Sequence, residues 1–119
     1  MLQRMAESNA QELLRAEHET TVARIAALIA EWDDIVAATA DANVDDEHDP
    51  EGSTIAFERA RVSTLLSQGR AYLEELELAR HRVEDGTYGI CERCGSAIPP
   101  ERLRARPVAR TCIQCPPLP

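Results

Sequence analysis

Cys91, Cys94, Cys112 and Cys115 are all the cysteines this chain has. They fall as two Cys-x2-Cys turns with seventeen residues between them. One such turn can aim two thiolates at a common point, and two turns complete a tetrahedron around Zn²⁺. Four cysteines close the coordination shell and leave no position for water, so the expected ion is one structural zinc, not a catalytic one. A disulfide framework is the competing use of four cysteines. The paired spacing, and an N-terminus that does not read as a signal peptide, favour metal in a reducing cytoplasm. Release of the thiolates on oxidation is a further use open to such a site.

The residues around the thiols suit a small metal-built module. Gly89 and Gly95 bracket the first pair. Pro99 and Pro100 should open a short helical turn, and Pro107 should mark its exit. Ile98, Leu103 and Val108 are the expected miniature core beside the metal. Arg93, Arg102, Arg104, Arg106 and Arg110 surround it and read either as a solvated basic face or as a contact for acidic protein or phosphate.

The ninety residues before this module must position it. Aromatic residues are few, with one Trp, one Phe and two Tyr. Ala, Leu, Glu and Arg dominate, which favours long helices over a sheet. Residues 10–41 read as one amphipathic helix, with a start nearer Leu2 as the alternative. Val22, Ile25, Ile29, Trp32 and Val36 step by three and four, the seam of a coiled coil. Ser8-x-x-Gln11 fits a capping box.

A second helix is expected from about Pro50 to Asp85. Its seam is Ile55, Val62, Leu65, Tyr72, Leu76, Ala79 and Val83, with Glu58 and Gly69 at the positions that are not apolar. Gly69 is there to admit a bulky side chain from the first helix, and Gly86 stops the second. Two seams joined by a polar turn fold back as an antiparallel hairpin, a rod on the order of 50 Å long. The fold class is therefore mainly α: a long antiparallel coiled-coil hairpin followed by a small four-cysteine zinc finger. The expected division is 1–85 for the hairpin, with an acidic tip at 41–52, and 86–119 for the finger.

Charge follows the same division. Residues 1–85 hold 8 Arg against 19 Asp and Glu, a balance of -11. Residues 86–119 hold 5 Arg against 2 Glu, a balance of +3, which four thiolates and one Zn²⁺ reduce to near +1. An acidic body repels phosphate, which argues against direct DNA binding by the hairpin. Between the helices Asp41, Asp45, Asp46, Glu47, Asp49 and Glu51 stand with no Arg among them. Such a turn is either simply solvated or faces an external cation or basic pocket. No apolar run is long enough for a membrane span. No nucleophile–base pair, phosphate loop or open metal site suggests an enzyme.

The stretch Gly-x-Tyr-Gly-x-Cys-x2-Cys-Gly, then Ile98, Arg102-Leu103-x-Ala105-x-Pro107 and the second Cys-x2-Cys, resembles the C4 zinc finger of the DksA/TraR family of bacterial transcription regulators. The preceding coiled coil with an acidic tip resembles that family's architecture too. The resemblance implies a cytoplasmic, monomeric protein that binds RNA polymerase directly and inserts its tip into the secondary channel. Asp45, Asp46, Glu47 and Asp49 would then carry the effect. Asp46-x-x-Asp49 has the spacing of the family's tip aspartates, while Glu51 stands where the family has alanine. The alternative is a zinc-built interaction or DNA-contacting module whose coiled coil dimerises or acts as a spacer.

Overall fold

A computed structural model describes residues 2–41 and 50–119. Its helices are α1 Leu2–Asp41, α2 Pro50–Asp85 and α3 Pro100–Ala105. α1 and α2 pair as a helical hairpin. Contacts divide the chain into two units, Met1–Thr20 with Leu73–Pro119, and Thr21–Tyr72. No helix among the described residues is long and apolar enough to cross a membrane.

α1 begins earlier than the capping-box pattern suggests. Ser8 and Gln11 lie inside the helix. The preceding residues, Leu2 to Glu7, are strong helix formers, so nothing in their chemistry ends the helix before Ser8. α2 runs between the expected limits. Pro50 suits a first helical position. At the other end Gly86 takes φ 76, a left-handed conformation that glycine adopts without a Cβ penalty. Its N–H donates to Val83 O at 3.2 Å, and Thr87 N–H donates to Arg82 O at 2.8 Å. This pair of bonds is a Schellman cap and satisfies two of the helix's last carbonyls.

In the Thr21–Tyr72 unit, Leu28, Val62 and Leu66 form the buried core, with Ile25, Trp32 and Ile35 packed against it. The Arg59 guanidinium lies over the Trp32 ring, 5.4 Å from its centroid. Arg61 bridges the two helices, 2.7 Å from Glu31, and also reaches Glu58 on its own helix at 3.3 Å. In the other unit Leu14 of α1 and Leu76, Ala79 and Val83 of α2 are buried.

The expected α1 seam is corrected at every second position. Ile25 and Trp32 face the core, but Val22, Ile29 and Val36 stay 42–44% exposed. The buried row is Leu14, Thr21 and Leu28, one residue earlier, with Ile35 partly buried. The rhythm through Val22, continued toward the N-terminus, meets Arg15. The observed rhythm meets Leu14 and leaves Arg15 in solvent, ion-paired with Glu12 and with Glu19. Burying leucine in place of an arginine decides the register. On α2 a one-residue shift occurs once, in the other direction: Leu66 is buried and Leu65 is 36% exposed.

Candidate metal centre

The segment after α2 folds as two knuckles clasped around a short helix. Ile90 and Ala97 form an antiparallel bridge. Cys91 N–H donates to Ser96 O at 2.8 Å, and Gly95 N–H returns to Cys91 O at 2.9 Å, closing the first knuckle. Gly95 has φ 76, which permits that tight return. Pro99 and Pro100 then start α3, and Arg106 N–H closes it on Arg102 O at 2.7 Å. The second knuckle is closed by Cys115 N–H to Cys112 O at 3.2 Å.

These turns bring all four thiols together. One sulfur from each of Cys91, Cys94, Cys112 and Cys115 lies within 4.8 Å of every other. Cys94 Sγ and Cys112 Sγ are 3.8 Å apart, nearly twice a disulfide bond and close to the edge of a tetrahedron with metal–sulfur bonds of about 2.3 Å. The cysteines are free thiols. Cys91 and Cys112 are buried with Ile98, and Leu103 and Cys115 pack against them. Ile98 and Leu103 are thus the miniature core expected there. Val108 instead lines a separate pocket with Arg82 and Arg102.

The electrostatics of the donor set fit a dication. Hydrogen bonds from the backbone at Cys94, and then at Cys112 and Arg93, outweigh desolvation and lower the Cys91 thiol to about 6. Cys94 is lowered by the backbone and side chain of Ser96. Cys115 goes the other way, pushed up to about 12 by hydrogen bonding with Cys112 and by burial, with Cys94 and Cys91 adding to it. Four sulfurs this close repel one another as thiolates unless a cation lies between them. The site accordingly suits one structural Zn²⁺, with no side left open for substrate.

Polar contacts outside the sulfurs join the two knuckles. Glu92 N–H donates to Arg110 O at 2.9 Å, and Arg110 Nε lies 2.6 Å from Glu92 Oε2. Arg102 Nε donates to Thr111 O at 2.9 Å, and Tyr88 OH donates to Pro107 O at 2.8 Å. The five arginines are therefore not one face. Arg102 and Arg110 are tied within the finger, and Arg93 donates to Pro117 O at 3.1 Å. Side-chain contacts spanning nine to twenty-four residues carry no periodic signal, so sequence alone does not assign them. The tip residues Asp45, Asp46, Glu47 and Asp49 lie outside the described residues.

Residues 86–115 match the prokaryotic dksA/traR C4-type zinc finger family. The chain carries a DksA/TraR-family zinc finger. General stress protein 16O of Bacillus subtilis (strain 168) is 39% identical over 69 residues, 58% of this chain and 42% of that protein. The RNA polymerase-binding transcription factor DksA of Escherichia coli (strain K12) is 44% identical over 46 residues, 39% of this chain and 30% of that protein. The chain thus spans less than half the length of these curated relatives. The fold is similar to that of transcription factor DksA2 from Pseudomonas aeruginosa, with a TM-score of 0.75 and 24% identity, over 91% of this chain and 78% of that one.

Proposed function

We propose that this protein is a DksA/TraR-type transcription regulator that binds RNA polymerase directly and does no chemistry of its own. Residues 1–85 act as the hairpin arm, with its acidic tip at 41–52, and 86–119 as the finger. Cys91, Cys94, Cys112 and Cys115 hold one structural Zn²⁺. The tip enters the secondary channel of the polymerase in the cytoplasm, where Asp45, Asp46, Glu47 and Asp49 act on the catalytic centre. Carboxylates there can compete for, or reorient, the groups that hold Mg²⁺. The observation that carries this reading is a DksA/TraR-type four-thiol cluster joined to a helical hairpin.

The test is a cross-link from a photoreactive residue at position 46 to purified polymerase, paired with transcription assays of Asp46→Ala and Asp49→Ala. A cross-link to the channel wall, with variants that keep zinc and helicity but lose the effect on transcription, is the expected result. Variants that act like the parent remove the tip from the mechanism. Absence of any polymerase complex removes the whole reading.

One observation favours the second reading, a coiled coil that pairs between chains. Val22, Ile29 and Val36 are exposed on α1 at seven-residue spacing, the spacing that dimeric coiled coils use. Sedimentation equilibrium separates the two readings: a monomer supports the polymerase arm, and a dimer supports the spacer.

A further inference from the structure

The link between the two cysteine pairs is seventeen residues long. Free in solution, such a link makes the second pair costly to bring to the first, because closing a loop costs chain entropy. The structure holds this link at several points before any sulfur–metal bond is considered. Arg102 N–H donates to Pro99 O at 3.0 Å, and Arg102 O accepts Arg106 N–H at 2.7 Å, so the backbone of Arg102 is fixed on both sides. Its side chain then turns away from solvent, and Nε meets Thr111 O at 2.9 Å. Thr111 is buried and immediately precedes Cys112, which is buried as well. The carbonyl one residue earlier, Arg110 O, is taken by Glu92 N–H from the first knuckle. Two consecutive carbonyls before Cys112 are thereby held by donors from two different segments.

We propose that Arg102 is a positioning residue for the second cysteine pair: its guanidinium fixes the backbone at Thr111 so that Cys112 and Cys115 meet the metal already aimed. This use of Arg102 goes beyond its membership of a basic surface. A charge-assisted bond to a backbone carbonyl is short, directional and stronger than a neutral one, which suits a clamp. Arg104, two residues along the same short helix, offers the contrast. Its side chain is 70% exposed and reaches Glu101 at 3.9 Å within its own helix. It carries the same charge but touches nothing that leads to a thiol.

The experiment is a metal titration of the full chain, stripped of metal and reduced. Zinc affinity is read by competition with a colorimetric chelator, and Co²⁺ is used as a spectroscopic stand-in, because its d–d and thiolate bands report the geometry at sulfur. Arg102→Met keeps length and loses the donor; Arg104→Met removes an equal charge from the same helix. Outer contacts of this kind change metal affinity by roughly 10- to 100-fold. Arg102→Met is expected to weaken zinc by at least about 10-fold and to move the Co²⁺ bands, with Arg104→Met within about twofold of the parent. Equal weakening in both variants would mean a general charge effect and overturn the proposal. So would parental affinity and bands in Arg102→Met. Circular dichroism at saturating metal covers a folding failure: if Arg102→Met also loses the hairpin signal, the role is global stability and the positioning claim fails.

Discussion

Ile25 Cγ1 lies 3.0 Å from the point where a Cβ on Gly69 would stand, and Ile25 Cδ1 lies 3.3 Å from it. The glycine is therefore a socket for Ile25, cut into the middle of α2. Helix propensity alone favours Gly69→Ala by about 1 kcal/mol. The crowding opposes it, since forcing atoms into a filled site costs about 1–3 kcal/mol. The expected net is a destabilisation of about 1 kcal/mol in urea melts. In an Ile25→Ala background the socket is vacant, and the same Gly69→Ala change should stabilise by about 0.5–1 kcal/mol. A Gly69→Ala effect of the same sign in both backgrounds would refute the contact.

The register of α1 yields a second expectation. Leu28 is buried and its neighbour Ile29 is 42% exposed. Leu28→Ala should cost about 2–5 kcal/mol, the range for truncating a core leucine. Ile29→Ala should cost less than about 1 kcal/mol, because an exposed position loses little burial and alanine is the better helix former. Thermal melts of the two single variants decide it. If their order is reversed, the seam runs through Val22, Ile29 and Val36.

Zinc retention should depend on pH with a definite sign. The Cys91 thiol is lowered to about 6, so its thiolate is favoured in the folded chain. A group depressed in this way stabilises the fold above the ordinary thiol pKa, and the contribution is lost as pH falls through the folded value. Cys115, raised to about 12, stays a neutral thiol in the metal-free chain near neutral pH, and the cation reverses that by replacing its proton. Zinc release followed with a chromophoric chelator should be small near pH 8 and should rise on acidification, as protons compete with the metal for the four thiolates. Zinc release that did not rise at all on acidification would contradict a site built on thiolates.

Arg82 gives a prediction of the opposite kind. Its Nη2 is buried and finds no hydrogen-bond partner among the described residues. Burial lowers the pKa of this guanidinium and the nearby Arg110 adds to that, while Glu92 acts against them. A buried charge that is incompletely paired costs stability, and an apolar side chain of similar size often removes the cost. Arg82→Met should therefore leave the melting temperature of the zinc-loaded protein unchanged or raise it. A fall of several degrees would show that the attraction to Glu92 dominates.

The contrast between legible and illegible features is physical. Both ends of α2 were legible because Pro50 and Gly86 have backbone demands that few other residues share. The thiol site was legible for a similar reason, since Cys-x2-Cys spacing has a geometric meaning independent of its surroundings. The α1 register was not. Leu28 and Ile29 are adjacent aliphatics, as are Ile35 and Val36, so two rhythms fit the same stretch. The residues that separate them, Leu14 and Arg15, lie two turns or more away. The start of α1 misled in a related way, because Ser8 and Gln11 imitate a cap that the helix formers before them make unnecessary. The inward use of Arg102 had no local signature, since its acceptor is a main-chain oxygen nine residues on.

Arg82 O accepts from Thr87 N–H at 2.8 Å and from Tyr88 N–H at 3.1 Å. A carbonyl of the last helical turn and the first residues of the finger thus share their bonds, and neither side is complete alone. A graft of this finger onto another scaffold that began at Gly86 would leave both N–H groups without acceptors. A transplantable cassette has to start a full turn earlier, at Arg82, and bring a stub of helix with it.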